Sequence, residues 1–573
     1  MAGGGLDQAS RWRLLCIGAV LTIFGALVAQ RLYWYQVTDH ETFTALASEE
    51  HAERLALPPV RGEIIDSTGH PLAMSVRYSA IDVYRPEVFD MEKTSRVLAD
   101  SLGLQVDDVR AKILAADKQW TSIATRVPAS ASSQIEAAGL RGVRLRPSPT
   151  REYPEGSTAA QAMGFVGVDG HGLSGLELTF DQELAGQAGV VITERDTIGD
   201  EIAIGRKALV PAVPGSDLVL TIDRYVQHVA EREIAAAVQQ NKAVGGQILV
   251  MDPATGAILA MASVPTYSLT SDAGIAAGQV INPVAVTDTY EPGSVMKLVT
   301  MSGAIEDGTV TPNTHYLDRG IGLDNGVPIH NWDGGAYGDV TIREILIHSL
   351  NTGTQWVASK MGAERYYHYV DLFGFGQPTG VRLNGEAAGA FRHPDDVGWS
   401  RADLATNSYG QSISVTPLQM ITAVAALGNG GVLMQPQIVR EIRRPGGTET
   451  VQPKQVRQAV SAQTAATMLD MMESVWDQEA FDQIRPKGYR LAAKSGTADI
   501  PGPGGYGTGK TIASFIGFGP IPNPRFVILV RLDEPEAIYG GVVAAPVFRN
   551  VAADLLAYYH VPPLSTPFKR APQ

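Results

Sequence analysis

A serine and a lysine three residues apart, Ser294 and Lys297, lie in the stretch 290–300, Tyr-Glu-Pro-Gly-Ser-Val-Met-Lys-Leu-Val-Thr. Pro292 and Gly293 make a turn, and the residues after them predict a helix that begins at or near Ser294 and is apolar on nearly every side. Residues three apart on a helix share a face, so the stem of Lys297 can bring its nitrogen to the Ser294 hydroxyl. Flanked by Val295, Met296, Leu298 and Val299, the ammonium of Lys297 is disfavoured by desolvation, and the neutral amine can take a proton. That is a nucleophile beside a base. Ser-x-x-Lys also arises by chance in a chain of this length, so the spacing alone decides little.

Three further stretches could do chemistry. His348-Ser349-Leu350-Asn351-Thr352-Gly353 offers a hydroxyl and an amide two residues apart, able to hand on a proton and hold a substrate amide. Taken alone, Ser and Asn there mark a helix end or turn. Leu491-Ala492-Ala493-Lys494-Ser495-Gly496-Thr497-Ala498 reads as a strand of small residues, where a glycine admits the backbone of a ligand; the plain alternative is a surface edge strand with an exposed lysine. Residues 504–511, Gly-Gly-Tyr-Gly-Thr-Gly-Lys-Thr, match the nucleotide-binding pattern G-x-x-x-x-G-K-[ST], and Gly502, Gly504 and Gly507 match G-x-G-x-x-G. That chemistry needs a buried strand before the loop and a helix after it. Pro501 and Pro503 precede the loop and a β-like run with Pro520 comes after it, so the glycines predict a hairpin tip.

The elements that must position these residues can be traced from the pattern. Residues 211–215 mark a boundary, 218–222 read as a strand, and Asp223 caps a helix with Val226, Val229, Ala230, Ile234 and Val238 on one face. Residues 246–252 and 257–263 read as a hairpin, 515–518 and 525–533 as strands, and 546–559 as a helix. Helix, hairpin, Ser294 helix and closing strands make an α+β or α/β module that runs to the end of the chain. Upstream, 57–73 reads as strand, turn and strand, with 66–69 the turn. Residues 94–102 and 106–116 read as helices and 151–156 and 164–175 as loops, a scaffold without an evident reactive set.

At 573 residues the chain has room for about three or four domains, and 45% hydrophobic against 18% charged residues predicts a folded protein. A net charge of -14 with no basic run argues against a nucleic-acid surface. The single cysteine, Cys16, leaves no internal disulfide and no cysteine metal site. Residues 14–29 are an apolar run with Arg11 and Arg13 before it and Arg31, Tyr33, Trp34 and Tyr35 after it, which predicts one membrane-spanning helix over 13–37. The rival is a cleaved signal, but Ala45-Leu46-Ala47 lies too far beyond the apolar run. The arginines, against Glu41, Glu49 and Glu50, orient residues 1–12 to the cytoplasm and everything from about residue 38 to the outside.

In order, Ser294/Lys297, Ser349/Asn351 and Lys494-Ser495-Gly496 resemble the three-part signature of the penicillin-binding proteins and serine β-lactamases. Residues 246–263, 290–297, 410–419 and 540–548 resemble the transpeptidase domain of class B penicillin-binding proteins, and 61–66, 151–156 and 172–177 the non-catalytic pedestal of that class. The ending, Tyr539-Gly540-Gly541 before Ala544-Ala545-Pro546-Val547-Phe548, resembles the division-specific branch more than the elongation-specific one. The resemblance implies an α/β (α+β) fold of the serine β-lactamase and penicillin-binding-protein type, with an N-terminal pedestal and one transmembrane helix. Its expected parts are a cytoplasmic 1–12, a span 13–37, a pedestal (dimerisation-like) domain 38–214, a transpeptidase domain 215–562 and a flexible tail 563–573.

The implied activity is peptidoglycan D,D-transpeptidation through a serine acyl-enzyme, in septal wall synthesis, with acylation by penicillins. Lys297 would deprotonate Ser294, Ser349 relay a proton to the leaving nitrogen, and Asn351 hold the substrate amide. Lys494, with Ser495 or Thr497, would meet the substrate carboxylate, Gly496 would give the ligand backbone room, and the N–H groups of Ser294 and Thr497 would form the oxyanion hole. No metal or cofactor is implied. The implied partners are stem peptides on lipid-linked precursor and nascent glycan strands, β-lactams, the membrane, and a division complex with a glycosyltransferase of the SEDS type. Two departures stand out: Ser495 where the class usually has threonine, and Leu350 where a small or polar residue is commoner. The rival readings are a carboxypeptidase or β-lactamase that passes the acyl group to water, and an idle scaffold that binds division partners. The long pedestal and single span argue against the first, and the intact Ser294, Lys297 and Lys494 against the second.

Overall fold

The computed structural model of the chain describes residues 7–43, 52–115, 120–194, 207–270, 282–324, 327–502 and 504–564. It divides into two compact units, Met1–Pro59 with Gln187–Val213, and Val60–Gly186 with Pro214–Gln573. Ala45-Leu46-Ala47, Glu49, Glu50 and the end of the tail from 565 onward lie outside the described residues.

The first unit begins with helix α1, Gln8–Tyr33, continued by a π-helical turn, Trp34–Thr38. The Asp7 carboxylate starts it by accepting from Ser10 N at 2.6 Å. These 31 residues are enough to cross the ~30 Å hydrocarbon layer of a bilayer. Leu15, Val20, Leu21, Ile23 and Phe24 are all exposed, an arrangement that lipid satisfies and water does not. The expected span 13–37 falls within this helix. The unit also contains a three-stranded antiparallel sheet in the order Ala52–Leu57, Gly189–Glu194, Lys207–Val210.

The second unit is built around a five-stranded antiparallel sheet. Helix α2, Arg224–Gln240, is capped by Asp223, whose carboxylate accepts from Tyr225 N and Val226 N. Strands β1, Gly245–Met251, and β2, Ile258–Val264, form the expected hairpin. Helices α3, Lys297–Glu306, α4, Ile342–His348, α5, Asn351–Met361, and α6, Pro417–Gly428, come next. Strands β3, Ala492–Asp499, β4, Thr511–Gly519, and β5, Phe526–Asp533, then complete the sheet in the order β2-β1-β5-β4-β3, and α7, Ala545–Tyr558, closes the domain.

Both faces of the sheet are covered, so its central strands are apolar without alternation. Ile248, Val250, Phe515 and Val530 pack with Val226, Ile234 of α2 and Phe548, Leu555 of α7. Their neighbours Leu249, Met251, Ile516 and Leu529 point the other way, into a core shared with Leu298 and Met301 of α3 and Leu418 and Ile421 of α6. Strand β3 pairs only with β4 and is therefore an edge, left open toward the Ser294 turn.

Residues 60–186 are tied to this domain through a six-stranded sheet. The short strand Ile64–Ile65 runs parallel to Asp217–Leu220, which in turn pairs antiparallel with Val439–Arg444. The turn 66–69 is held by Asp66, whose buried carboxylate accepts from Thr68 N, His70 N and Arg224 N, the last at the start of α2. A separate lobe packs Met91–Leu102, Val106–Ala115 and Ala129–Ala137 over three strands around Ile81, Leu98, Val109, Ile113 and Ile123. Two of these helices are those expected from the pattern.

The three upstream stretches singled out in the sequence converge on one buried ionic cluster. Glu177, fully buried, accepts from Arg61 Nε and Arg151 Nε at 2.7 Å each, and Arg61 Nη1 also reaches Asp181 at 2.6 Å. Arg151 Nη1 donates to Gly62 O at 2.7 Å, which closes the cluster onto the strand-bearing segment. Removing one member of such a cluster leaves the others charged and dry. Glu177→Ala is expected to lower the stability of this region by about 3–5 kcal/mol, read as a lower urea midpoint for the full chain in detergent; an unchanged midpoint would show that the arginines find water instead.

Candidate active site

The turn that carries Ser294 is set by a close contact between two glycines. Gly293 has φ +57° and Gly410 φ +87°, and a methyl group on Gly410 would lie 2.0 Å from Gly293 O. Gly293 N donates to Gly410 O at 3.0 Å, and Tyr290 and Val415 bridge the same two segments. Residues 293–296 form a 3-10 turn, and α3 begins at Lys297, so Ser294 sits one turn ahead of the regular helix. It is half-buried, while every residue from Lys297 to Ala304 is buried. That burial is the apolar surround read from the sequence.

The segment 410–419 holds this turn from behind. Thr416 and Gln419 form a capping box at the start of α6, with Pro417 as its first residue. Gly496 of β3 completes the contact. Its α-carbon faces Val295 and Pro292 so closely that a side-chain methyl would lie 2.8 Å from Val295 Cγ2. A glycine in this strand thus admits the Ser294 turn, in addition to any ligand.

Lys297 Nζ lies among three neutral oxygens. It donates to Ser349 O at 2.6 Å, to Asn351 Oδ1 at 2.8 Å and to Ser349 Oγ at 3.2 Å. Among the described residues no hydrogen bond joins it to Ser294 Oγ, which corrects the expectation that the pair would be bonded directly. The reason is competition: a buried amine takes the nearest fixed acceptors, and the loop 349–351 supplies three. Burial, then the neighbouring Lys494, push the Lys297 amine well below the ordinary lysine range.

Lys494 is buried too, not exposed as an edge-strand lysine would be. It donates to Ser349 Oγ at 3.0 Å and to Ser495 O at 2.9 Å, and burial pushes its amine down to about 7. Ser349 therefore touches both lysines through one hydroxyl. It does so from a left-handed backbone, φ +57°, at the end of α4, a conformation that costs a non-glycine residue ~1–3 kcal/mol. Leu350 is buried in the main core, so the unusual residue of this stretch packs away from the cleft.

Ser495 and Thr497 are half-exposed and share one face of β3, opposite buried Lys494, Gly496 and Ala498. Thr497 Oγ1 accepts from Gly540 N at 3.1 Å, so its position is fixed by the segment after β5. A methyl on Gly293 would meet Thr497 O at 2.5 Å, which puts that carbonyl on the open side of the edge strand. The N–H of a strand residue points to the same side as its C=O, so Thr497 N–H also faces the Ser294 turn. Beside these segments stands an aromatic pair whose contact no sequence pattern announces, Trp332, which donates to His348 O, and Tyr539, which precedes Gly540, edge to face at 5.3 Å.

The glycine-rich segment 504–511 belongs to the β3–β4 connection. β3 and β4 pair antiparallel from Ala492↔Phe518 to Asp499↔Thr511, and the segment leads into a strand, not a helix. Lys510 pairs with Glu534 at 2.8 Å. Tyr506 OH donates to Glu291 at 2.9 Å and accepts from Ser412 N at 3.3 Å. A phosphate cradle is therefore excluded at this place by the absence of the helix that would face the anion.

A family model of the penicillin-binding protein transpeptidase domain matches residues 246–553, and one of the penicillin-binding protein dimerisation domain matches 56–220. The chain is similar to stage V sporulation protein D of Bacillus subtilis, 32% identical over 561 residues that cover 96% of this chain and 86% of that protein. It is equally similar to the peptidoglycan D,D-transpeptidase FtsI of Escherichia coli K12, 32% over 562 residues, 96% and 92% of the two chains. Among solved structures, penicillin-binding protein 3 of Mycobacterium tuberculosis complexed with ampicillin superposes with a TM-score of 0.70 at 29% identity, over 90% of this chain and 98% of that one.

The Gly293–Gly410 contact yields a test of how tightly the Ser294 turn is held. Gly410→Ala must push Gly293 O aside and displace Ser294, so covalent labelling by a fluorescent penicillin is expected to slow by about a hundredfold, as a shift near 1 Å can cost. Labelling at the wild-type rate would show that the turn yields without moving Ser294.

Proposed function

The chain belongs to the class B penicillin-binding proteins, and from that premise we propose how its residues carry out peptidoglycan D,D-transpeptidation. It is a membrane-anchored serine-type transpeptidase of cell-wall synthesis in division, with peptidoglycan as substrate and β-lactams as ligands. The observation that carries the residue-level reading is the single hydroxyl, Ser349 Oγ, held between Lys297 Nζ and Lys494 Nζ beside the Ser294 turn. Three stretches far apart in sequence meet there.

In this reading the neutral amine of Lys297 accepts the proton of Ser294 as its oxygen attacks the D-Ala-D-Ala peptide carbon of a stem peptide. The developing oxyanion is met by the backbone N–H groups of Ser294 and Thr497, worth ~3 kcal/mol per donor in comparable sites. The proton moves from Lys297 through Ser349 Oγ to the leaving nitrogen, D-Ala departs, and the acyl group stays on Ser294. An amine of a second stem peptide then takes that acyl group by the same steps reversed. Asn351 holds the substrate amide, and protonated Lys494 with Ser495 or Thr497 meets the terminal carboxylate, Gly496 leaving room for the peptide. The serine at 495 retains the hydroxyl that a threonine would offer.

The wider reading has an N-terminal segment 1–12 in the cytoplasm, the span at 13–37, a pedestal 38–214, a catalytic domain 215–562 on the outer side of the membrane and a tail 563–573. In it the enzyme works within a division complex beside a glycosyltransferase of the SEDS type, on lipid-linked precursor and nascent glycan. The basic residues before the span and the similarity to FtsI support this reading.

Two measurements test the site. Ser294→Ala is expected to abolish covalent penicillin labelling with stability changed by less than ~1 kcal/mol, since one half-buried hydroxyl is removed; undiminished labelling would place the nucleophile elsewhere. The second-order acylation rate should fall at acid pH as Lys297 gains a proton, and again as pH rises through about 7, where Lys494 loses the charge that meets the carboxylate. Lys494→Arg keeps its charge at all these pH values, so it should remove the alkaline limb. An alkaline limb that stays where it was in this variant would assign it to another group.

A further inference from the structure

Behind the loop 349–351 lies a buried carboxylate that the acyl-transfer steps do not use. Residues 315–341 fold as one hairpin within another: His315–Asp318 pairs with Gly338–Thr341, and between them Ile321–Asp324 pairs with Val327–His330. Asp318 stands where the outer hairpin passes into the inner one and is 2% exposed. Its Oδ1 accepts from Thr352 Oγ1 at 2.7 Å and Gly320 N at 3.1 Å, and its Oδ2 from Asn331 Nδ2 at 2.8 Å and Tyr337 N at 2.9 Å. Four donors from four segments converge on one side chain, and only an ionised carboxylate offers acceptors to all of them.

The network ends at the active site. Asn331 Oδ1 accepts from Thr352 N at 3.3 Å, which fastens the residue after Asn351, while the Thr352 hydroxyl, its one proton given to Asp318, lies 3.0 Å from the same oxygen. On the other side of Asn331, His330 O accepts from Asn351 Nδ2 at 3.0 Å. With Nδ2 so engaged, the Asn351 amide turns its Oδ1 to Lys297 Nζ at 2.8 Å. A flipped amide would set two N–H groups against the lysine amine and one oxygen against the His330 carbonyl. The orientation of Asn351 thus depends on where His330 and Thr352 are held, and both are held through Asp318 and Asn331. Trp332, next in the chain, donates its indole N–H to His348 O at 3.1 Å and pins the same loop from outside.

We propose that Asp318 is a positioning residue for the transpeptidase reaction, fixing Asn351 with its oxygen toward Lys297 and its nitrogen toward His330. The inference rests on Lys297 as base and Ser294 as nucleophile. Among the described residues no ion pair links Asp318 to either lysine, so its effect passes along the hydrogen-bonded chain and not through direct contact. Facing Lys297 Nζ are Lys494 from β3, the charged neighbour that shifts it, and the oxygens of Ser349 and Asn351. An oxygen facing an amine favours its protonated form. Losing that oxygen makes Lys297 easier to deprotonate and moves the acid limb of acylation to lower pH.

The experiment uses the full chain in detergent with benzylpenicillin, separating the non-covalent dissociation constant from the first-order acylation rate across pH. Asp318→Asn puts an N–H₂ where Asn331 Nδ2 or Thr352 Oγ1 must donate, and is expected to slow the first-order step between about tenfold and a hundredfold. Non-covalent binding should stay within about twofold, and the acid limb should move to lower pH. Thr352→Val, close in shape and retaining the backbone N–H, should change both in the same direction by less, and it decides the matter alone if Asp318→Asn does not fold. Folded variants with the wild-type rate would overturn the proposal, as would a slower rate with an unmoved acid limb, the mark of general loosening. A wild-type chain that benzylpenicillin fails to acylate would instead overturn the reading of Ser294 and Lys297, and this inference with it.

Discussion

Two buried lysine amines share one half-buried hydroxyl, and among the described residues no carboxylate pairs with either of them. Lys297 Nζ and Lys494 Nζ lie 3.2 and 3.0 Å from Ser349 Oγ, each almost wholly removed from water. Two ammonium ions in so dry a site repel one another, which disfavours the charged form. The bias falls hardest on Lys297, whose amine is pushed down by burial along the apolar helix α3 and then by the second lysine. The tendency of Lys297 toward the free amine is thus a consequence of packing. The packing that buries Lys297 is what disfavours its protonated form.

That arrangement is held by places where the backbone comes unusually close. Gly293 meets Gly410, Gly496 meets Val295, and Ser349 adopts a left-handed conformation at the end of α4. Each is a local cost, and each lies at an edge of the cleft. The large apolar core beneath, with Leu298, Met301, Leu418 and Ile421 in one cluster, supplies the stabilisation against which such costs are small. On the far side, the cluster of Arg61, Arg151, Glu177 and Asp181 fixes the upstream segment by the opposite device, charge buried with charge.

Much of the sheet and its helices could be read from local pattern. The hairpin of β1 and β2, the Asp223 cap, the strands after 510 and the last helix each have a signal within a dozen residues. Ser294, Lys297, Ser349, Asn351 and Lys494 were legible because their types recur in order, and the structure brings the last four into one set of hydrogen bonds. Asp318, Asn331 and Thr352 were not. Their partners come from a nested hairpin and from the start of α5, and no spacing in the chain announces a carboxylate whose four donors are supplied from 320, 331, 337 and 352. The ionic cluster was half legible: its three stretches stood out, but not that one glutamate joins them.

The glycine-rich loop shows why order of residues is weaker than order of elements. Residues 504–511 satisfy the nucleotide-binding pattern letter for letter, yet that pattern has meaning only when a helix N-terminus comes after it, since the helix supplies the aligned N–H groups that hold phosphate. Here the loop joins two antiparallel strands, Lys510 is paired with Glu534, and Tyr506 reaches Glu291 and Ser412. Glu291 stands three residues before Ser294 and Ser412 two residues after Gly410, the partner of Gly293. The same glycines that imitate a phosphate cradle let the connection bend until Tyr506 rests on both segments that hold the Ser294 turn. A tyrosine in the middle of the pattern, which a phosphate loop would have to turn away from its ligand, is in this fold the residue that contacts the site.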